Sequence, residues 1–358
     1  MSGVIGFRGA AAALAIAAGV LSAGCGGVAQ HTATVVSGVR GSTATSDTAG
    51  MPKAGPESSE AYRSLDAAHH PDWLGALPDG LGLGRLSVPG THDTMAFHGD
   101  KAGPAVVTQQ RVTAGCGFDD KTCVSRRSLR AQLDAGIRAL DIRVRRDEND
   151  GLALQHGSFY QDAHLDDVLA VADQFLADHP RETVLMRVKA ECDNTGKPFT
   201  CDDAGRVPPD PALIDRYLTA DPHVWQPSVT GRAALPALGE VRGRIVLTQF
   251  DNIANGDQRG LPLDIQDDWH DPSVDAKWAA ISAQLDKAAT GDSHTLYLNF
   301  LSASGVPDPA RVPERYAHDE NPRTLDRLRA EPGRTAGLLM ADFPGSALID
   351  EIIGHNPR

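Results

Sequence analysis

Ionisable side chains recur in this sequence directly after short apolar runs. His92 and Asp93 follow "RLSVPGT", Asp141 and Arg143 interrupt "ALDIRV", His156 follows "LALQ", Lys189 and Glu191 close "TVLMRVKAE", and Asp342 closes "GLLMAD". Two imidazoles with ordinary pKa values of about 6.5 can serve as base and acid across one reacting centre at neutral pH. A guanidinium beside them stabilises a phosphoryl oxygen that gains charge, and neighbouring carboxylates fix the imidazole tautomers. The chemistry that matches this set is phosphodiester cleavage. Taken singly, each residue also has a plainer reading: Arg143 with Asp141 as a structural ion pair, a strand-end histidine as a satisfied rim residue.

The elements that must position these groups are short β-branched and apolar runs: "RLSVPG", "IRALDIRV", "LALQHG", "TVLMRVKAE", "RIVLTQF", "TLYLNFLS" and "GLLMADF". Between them lie amphipathic stretches such as "HLDDVLAVADQFLADHP", in which Leu165, Val168, Leu169, Ala172, Phe175 and Leu176 fall at helical spacing. Strands alternating with helices read as parallel βα units. No glycine-rich phosphate loop follows the first strand, so the expected fold is α/β, a single (β/α) TIM-type barrel, irregular or incompletely closed. In such a barrel the carboxyl ends of the strands carry the site, and the charges sit at those ends. The two-residue period puts Asp141 and Arg143 on one face of their strand, and Lys189 and Glu191 on one face of theirs. Turned inward, such charges cost several kcal/mol per ion unless they are paired. A mutually satisfied network around a charged ligand explains that placement. Pro89 and Gly90 are expected to make the sharp exit that aims His92 and Asp93, while His98, His164 and His179 read as solvated.

The chain has 358 residues, with 47 Asp and Glu against 34 Lys and Arg, a formal charge of −13. That balance argues against a nucleic-acid partner, which favours a basic face. Residues 1–25 carry one early cation, Arg8, then an Ala-rich apolar stretch ending in "LSAGC", the layout of an export signal. The ending resembles a bacterial lipoprotein processing site with Cys25 as the lipidated residue, although Ser22 stands where that pattern prefers Leu; ordinary secretion is the next alternative and a retained membrane helix the last, since the apolar run is shorter than the about 20 residues a span needs. Residues 26–60 read as a flexible tether rich in Gly, Ser, Thr and Ala, and 61–358 as the barrel domain. Four further cysteines form two local pairs, Cys116 with Cys123 and Cys192 with Cys201. In an exported chain these read as disulfides; a four-thiolate zinc site is the rival, with spacings longer than usual.

The order "VPGTHDT", "GIRALDIRV", "LQHGSFY" and "FLADHPRETVLMRVKAE" resembles the X domain of bacterial phosphatidylinositol-specific phospholipase C, closely over residues 83–192 and more loosely to about 350. The resemblance implies His92 as general base toward the inositol 2-hydroxyl, His156 as general acid toward the diacylglycerol oxygen, and Arg143 on the phosphate. It implies Asp93 as the partner of His156 and Asp342, on the last barrel strand, as the partner of His92. Lys189 matches an inositol-contacting lysine. "IQDDW" looks like the segment that supplies an acidic hydroxyl acceptor and an aromatic platform, Asp267 and Trp269. An ordinary loop carboxylate and a core-packed lid are their bland alternatives. The product implied is inositol 1,2-cyclic phosphate, with phosphatidylinositol or a glycosylated relative as substrate, a phospholipid membrane surface as partner, and a monomer as the working form.

One position departs from the family: where its members carry an inositol-contacting arginine, "RGRIVLTQFDN" offers Gln249 and Phe250. Asp93 and Arg143 follow the metal-free pattern, so no cofactor is expected, although Asp141 and Glu191 are possible Ca²⁺ ligands. A glycerophosphodiester phosphodiesterase is a second enzymatic reading, which "GTHD" with Arg143 disfavours. A lipid-binding lipoprotein without turnover is a third, and it needs neither His92 nor His156. Aromatic residues make up 5% of the chain, which leaves no evident membrane-insertion surface, although Phe97 sits in a loop that could touch lipid.

Overall fold

The computed structural model describes residues 60–147, 151–191, 211–251, 253 and 258–357. The proposed export signal, Cys25, almost all of the tether, and the Cys192 and Cys201 pair lie outside the described residues.

Among the described residues nine strands form one sheet: β1 (Ser87–Thr91), β2 (Ala139–Arg146), β3 (Leu152–His156), β4 (Phe159–His164), β5 (Thr183–Ala190), β6 (Arg244–Asp251), β7 (Leu263–Gln266), β8 (Leu296–Phe300) and β9 (Gly337–Ala341). Seven of them are parallel and run β6-β5-β2-β1-β9-β8-β7 around a curled wall. Among the described residues β6 and β7 share no ladder. A backbone hydrogen bond from Leu261 N to Thr248 O, 2.9 Å, crosses that seam just ahead of β7. The expected incompletely closed barrel is therefore what the chain forms.

Two strands depart from expectation. "LALQHG" is not a parallel βα strand: β3 runs antiparallel to β2 and turns back as a hairpin with β4. The seventh parallel strand is instead β7, "LDIQ", whose four residues are all half-buried and give no strong apolar run.

The strand period sorts side chains into two worlds. Val88, Ala139, Leu185, Val246, Leu298, Phe300, Leu338 and Met340 pack together as an apolar layer. Outside, Leu140, Ile142, Val144, Val184, Met186, Val188 and Ile245 meet α1 (Lys121–Ala135) and α2 (Leu165–Asp178) through Leu129, Leu133, Val168 and Phe175. Leu339 and Ala341 meet α5 (Val274–Thr290), α6 (Pro313–Ala330) and α7 (Ser346–Gly354) through Ile281, Leu325 and Ile352. Two short helices, α3 (Pro211–Leu218) and α4 (Gln226–Thr230), precede β6. Along the inner face the apolar residues come first and charges follow: Ala139 gives way to Asp141 and Arg143, Leu185 to Arg187 and Lys189, Met340 to Asp342. The carboxyl-end mouth is thus charged above an apolar floor.

Gly90 lies inside β1, paired with Met340 on β9 and Ala139 on β2, and does not form the exit. A Cβ there would stand 2.5 Å from Met340 Sδ and 2.8 Å from Ala139 Cβ, so its glycine permits close strand packing. The chain turns at Asp93, with φ 37°, a left-handed conformation that Asp tolerates better than most residues. Cys116 and Cys123 are joined by a disulfide at the start of α1. No helix among the described residues is long and apolar enough to cross a membrane.

Candidate active site

The exit of β1 is held from three sides. His92 N donates to Ala341 O at 3.1 Å, Gln109 Nε2 donates to His92 O at 2.6 Å, and Asp93 N donates to Asp141 Oδ2 at 3.1 Å. These bonds send His92 and Asp93 in different directions. His92 Nδ1 donates to Asp342 Oδ1 at 2.8 Å, while Asp93 Oδ2 lies 2.9 Å from His156 Nδ1, at ion-pair distance but poorly aligned for a hydrogen bond. The adjacent pair therefore serves two different imidazoles. The two rings stand 6.3 Å apart, centroid to centroid, nearly perpendicular.

Arg143 joins the halves. Its Nη2 donates to His92 Nε2 at 2.7 Å, its Nη1 to Glu191 Oε1 at 3.0 Å and its Nε to Asp141 Oδ2 at 3.1 Å; Asp93 Oδ2 is 3.8 Å from Nε. Because β2 pairs in parallel with β5, Asp141 stands beside Arg187 and Arg143 beside Lys189. His156 comes in on the β3–β4 hairpin, and the turn after it is fixed by Gly157 N donating to Glu191 Oε2 at 3.0 Å.

Electrostatics follow from burial and these partners. Burial, then Arg143, holds the His92 pKa well below the ordinary imidazole value, so the ring is neutral with its proton on Nδ1 and its Nε2 lone pair facing Arg143. Burial drives Asp342 well up and Asp93 up. Asp141 is opposed by burial, but Arg143 and Arg187 overcome it and hold that carboxyl far below its usual range. Glu191 is lowered too, with burial again outweighed by Arg143 and Lys189. Lys189 is lowered, by burial first and then by Arg143.

A cavity of about 430 Å³ opens over this network, lined by His92, Arg143, His156, Lys189, Glu191, Asp267 and Trp269 among others. Asp93 and Asp342 sit behind the histidines, 2% and 1% exposed. The eight residues given roles from sequence, His92, Asp93, Arg143, His156, Asp342, Lys189, Asp267 and Trp269, thus gather in or directly beneath one mouth. Trp269 is 49% exposed, so it is not a lid packed on the core.

The family "Phosphatidylinositol-specific phospholipase C, X domain" matches residues 120–249. A 1-phosphatidylinositol phosphodiesterase of Listeria monocytogenes is 34% identical over 301 residues, 79% of this chain and 84% of that one. The chain belongs to the phosphatidylinositol-specific phospholipase C family. A 1-phosphatidylinositol phosphodiesterase of Staphylococcus aureus is similar at 25% identity over 327 residues, 83% of this chain and 97% of that one. Among solved structures, phosphatidylinositol-specific phospholipase C from Listeria monocytogenes superposes with a TM-score of 0.64 at 29% identity, over 81% of this chain and all of that one.

Several residues of this phospholipase mouth escaped sequence reasoning. Ser302, just beyond β8, lines the cavity with a buried Oγ that has no hydrogen-bond partner among the described residues. Its signal was "LNFLSAS", small hydroxyls directly after a strand's carboxyl end. Arg187 lay unremarked inside "TVLMRVKAE", and Gln249 accepts from its Nε at 2.8 Å. Two loop residues read otherwise than expected: Phe97 is 2% exposed and cannot reach lipid, and His98 is buried, its Nε2 3.0 Å from Ser125 Oγ.

Proposed function

We propose that the protein cleaves phosphatidylinositol by internal attack of the inositol 2-hydroxyl, giving diacylglycerol and inositol 1,2-cyclic phosphate, with His92 as base and His156 as acid. The observation that carries this reading is the pair of imidazoles facing one mouth across 6.3 Å, each backed by its own buried carboxylate. One centre then removes a proton while the other delivers one. Nucleophile and phosphate belong to one substrate molecule, which removes most of the orientational cost. His92, neutral and aligned by Asp342, takes the 2-hydroxyl proton at Nε2. His156 protonates the departing diacylglycerol oxygen, with Asp93 stabilising its charged form. Arg143 turns its Nη2 from His92 to a non-bridging phosphate oxygen as that oxygen gains charge.

Asp141 and Glu191, the two candidate ligands, do not fit a Ca²⁺ site. Both oxygens of Asp141 already accept from guanidinium groups, and Glu191 accepts from Arg143 and from Gly157 N. A calcium ligand set needs such oxygens free to converge. The fixed guanidinium of Arg143 supplies the positive charge, and the reaction is metal-free. Lys189 and Asp267 contact inositol hydroxyls, and half-exposed Trp269 offers its face to the ring. The enzyme works as a monomer at a phospholipid surface, exported and held there through a lipidated Cys25.

Phosphorus NMR of the purified protein with phosphatidylinositol, with and without EDTA, tests the reading. A cyclic phosphate that forms at the same rate in both samples is expected. Production of inositol 1-phosphate with no cyclic intermediate overturns the mechanism, and loss of the signal with EDTA overturns the metal-free assignment.

A further inference from the structure

A third inner cation stands beneath the mouth. Arg187 on β5 has a side chain only 3% exposed, and it does not line the cavity. It is placed between two strands by register: Asp141 on β2 is its partner on one side and Gln249 on β6 on the other. An irregularity in the β5–β6 ladder, between Met186 and Arg187, brings Gln249 opposite Arg187 where unbroken register would bring Thr248. The guanidinium donates to Asp141 Oδ1 at 2.8 Å through Nη1, to Gln249 Oε1 at 2.8 Å through Nε, and to Asp251 Oδ2 at 2.5 Å through Nη2. The Phe300 ring lies 5.2 Å from its Cζ, and the same ring stands 5.8 Å from His92.

An apolar residue would fill this interior position without the desolvation cost of a charge. What the charge accomplishes is read from Asp141. That carboxylate has one oxygen for each arginine: Oδ2 takes Arg143 Nε and Asp93 N, while Oδ1 takes Arg187. With Oδ1 held, the carboxylate plane is fixed, and so is the edge on which Arg143 rests. Without Arg187, Oδ1 becomes a buried acceptor with no donor and the carboxylate is free to rotate toward another one.

We propose that Arg187 is a positioning residue of the phosphate site, orienting Arg143 through Asp141 while anchored by Gln249 and Asp251 on β6. It touches no reacting atom. The inference rests on the reading of this mouth as a phosphodiester-cleaving centre in which Arg143 meets one non-bridging oxygen.

The two diastereomers of phosphatidylinositol carrying sulfur at a non-bridging position report that contact directly, because a guanidinium fixed on one oxygen discriminates between them. Unmodified protein, Arg187→Met and Arg187→Lys are compared for cyclic product from both diastereomers and from the all-oxygen lipid, alongside thermal unfolding. The expected result is strong discrimination in the unmodified enzyme and at least about tenfold less of it in Arg187→Met, with kcat reduced far more than KM is changed. Arg187→Lys, which keeps a charge opposite Asp141, should recover part of the discrimination, and it carries the test if Arg187→Met does not fold. Full discrimination in a folded Arg187 variant overturns the inference alone and leaves Arg187 a structural cation. Absence of cyclic product from the unmodified enzyme overturns the reading beneath it, and this inference falls with it.

Discussion

Arg143 Nη2 donates to His92 Nε2 across 2.7 Å, so the guanidinium assigned to the phosphate covers, in the free protein, the nitrogen assigned to proton abstraction. Substrate phosphate offers a charged acceptor in exchange for a neutral one, and that exchange uncovers Nε2 as the substrate arrives. The same contact helps burial to hold the imidazole pKa down. Arg143→Gln is therefore expected to do two things. It should lower cyclic-phosphate formation by at least about 10², the scale of losing a charged donor to a developing oxyanion. It should also raise the His92 pKa, because Asp141 and Glu191 lose their shared cation, so the acid limb of kcat/KM moves to higher pH. A pH profile whose acid limb stays in place would show that Arg143 does not act on His92.

The acid and base assignments separate through their carboxylates. Asp342→Asn keeps shape but removes the negative charge that favours the proton on His92 Nδ1, and Asp93→Asn removes the negative charge that lies 2.9 Å from His156 Nδ1. His92→Ala and His156→Ala should each cost at least about 10² in turnover, and the Asn variants a comparable factor. Asp342→Asn should add little in a His92→Ala background yet keep its own cost beside His156→Ala. Cycles of single and double variants, followed by release of cyclic phosphate, check this; additive losses for His92 with Asp342 would refute the pairing.

Much of this site was legible because strand periodicity is strict. Once Asp141 and Arg143 share an inner face, and Lys189 follows in parallel register, their convergence is dictated by barrel geometry. The route taken by His156 was not legible: "LALQHG" has the apolar content of a barrel strand, and nothing in those six residues marks it as antiparallel. β7 was missed for the opposite reason, since a half-buried strand beside the open seam needs no strong apolar run. Gly90 read as a turn residue because glycine serves both turns and close contacts, and only the neighbours Met340 and Ala139 decide between them. Arg187 was overlooked because its partners lie 46, 62 and 64 residues away, on two other strands.

The Gly90 contacts make a prediction of their own. In Gly90→Ala the new methyl meets Met340 Sδ at 2.5 Å and Ala139 O at 2.9 Å, and Ala139 belongs to rigid backbone on β2. Overpacking of this kind costs about 1–3 kcal/mol, and the strand that must shift is the one that delivers His92. Both stability and turnover should fall, the midpoint in urea reporting one and cyclic-phosphate release the other. Gly90→Ala with Met340→Ala should regain part of the turnover, as room is made on the β9 side. A single variant as stable and active as the parent would contradict the packing account.

Glu320 on α6 is completely buried, and neither carboxylate oxygen has a hydrogen-bond partner among the described residues. Burial raises its pKa from the ordinary 4.5 to about 7; Arg323 and Lys277 pull it down, and Asp319 and Asp275 push it up. Lys277 is itself fully buried, donating to Asp268 O at 2.8 Å, and burial lowers its pKa to about 8. The sign follows from linkage. Below pH 4.5 Glu320 is protonated in folded and unfolded chains alike, and its ionisation contributes nothing. Between 4.5 and 7 the unfolded chain ionises first, so stability falls as pH rises, and above 7 the loss is constant. That loss is on the order of 3 kcal/mol. Glu320→Gln removes the ionisation and should stabilise the fold by about that amount at pH 8 while changing little at pH 4.5. Urea unfolding of parent and variant at both pH values decides it: an equal increment at the two pH values, or none at pH 8, would mean that Glu320 does not carry the buried charge.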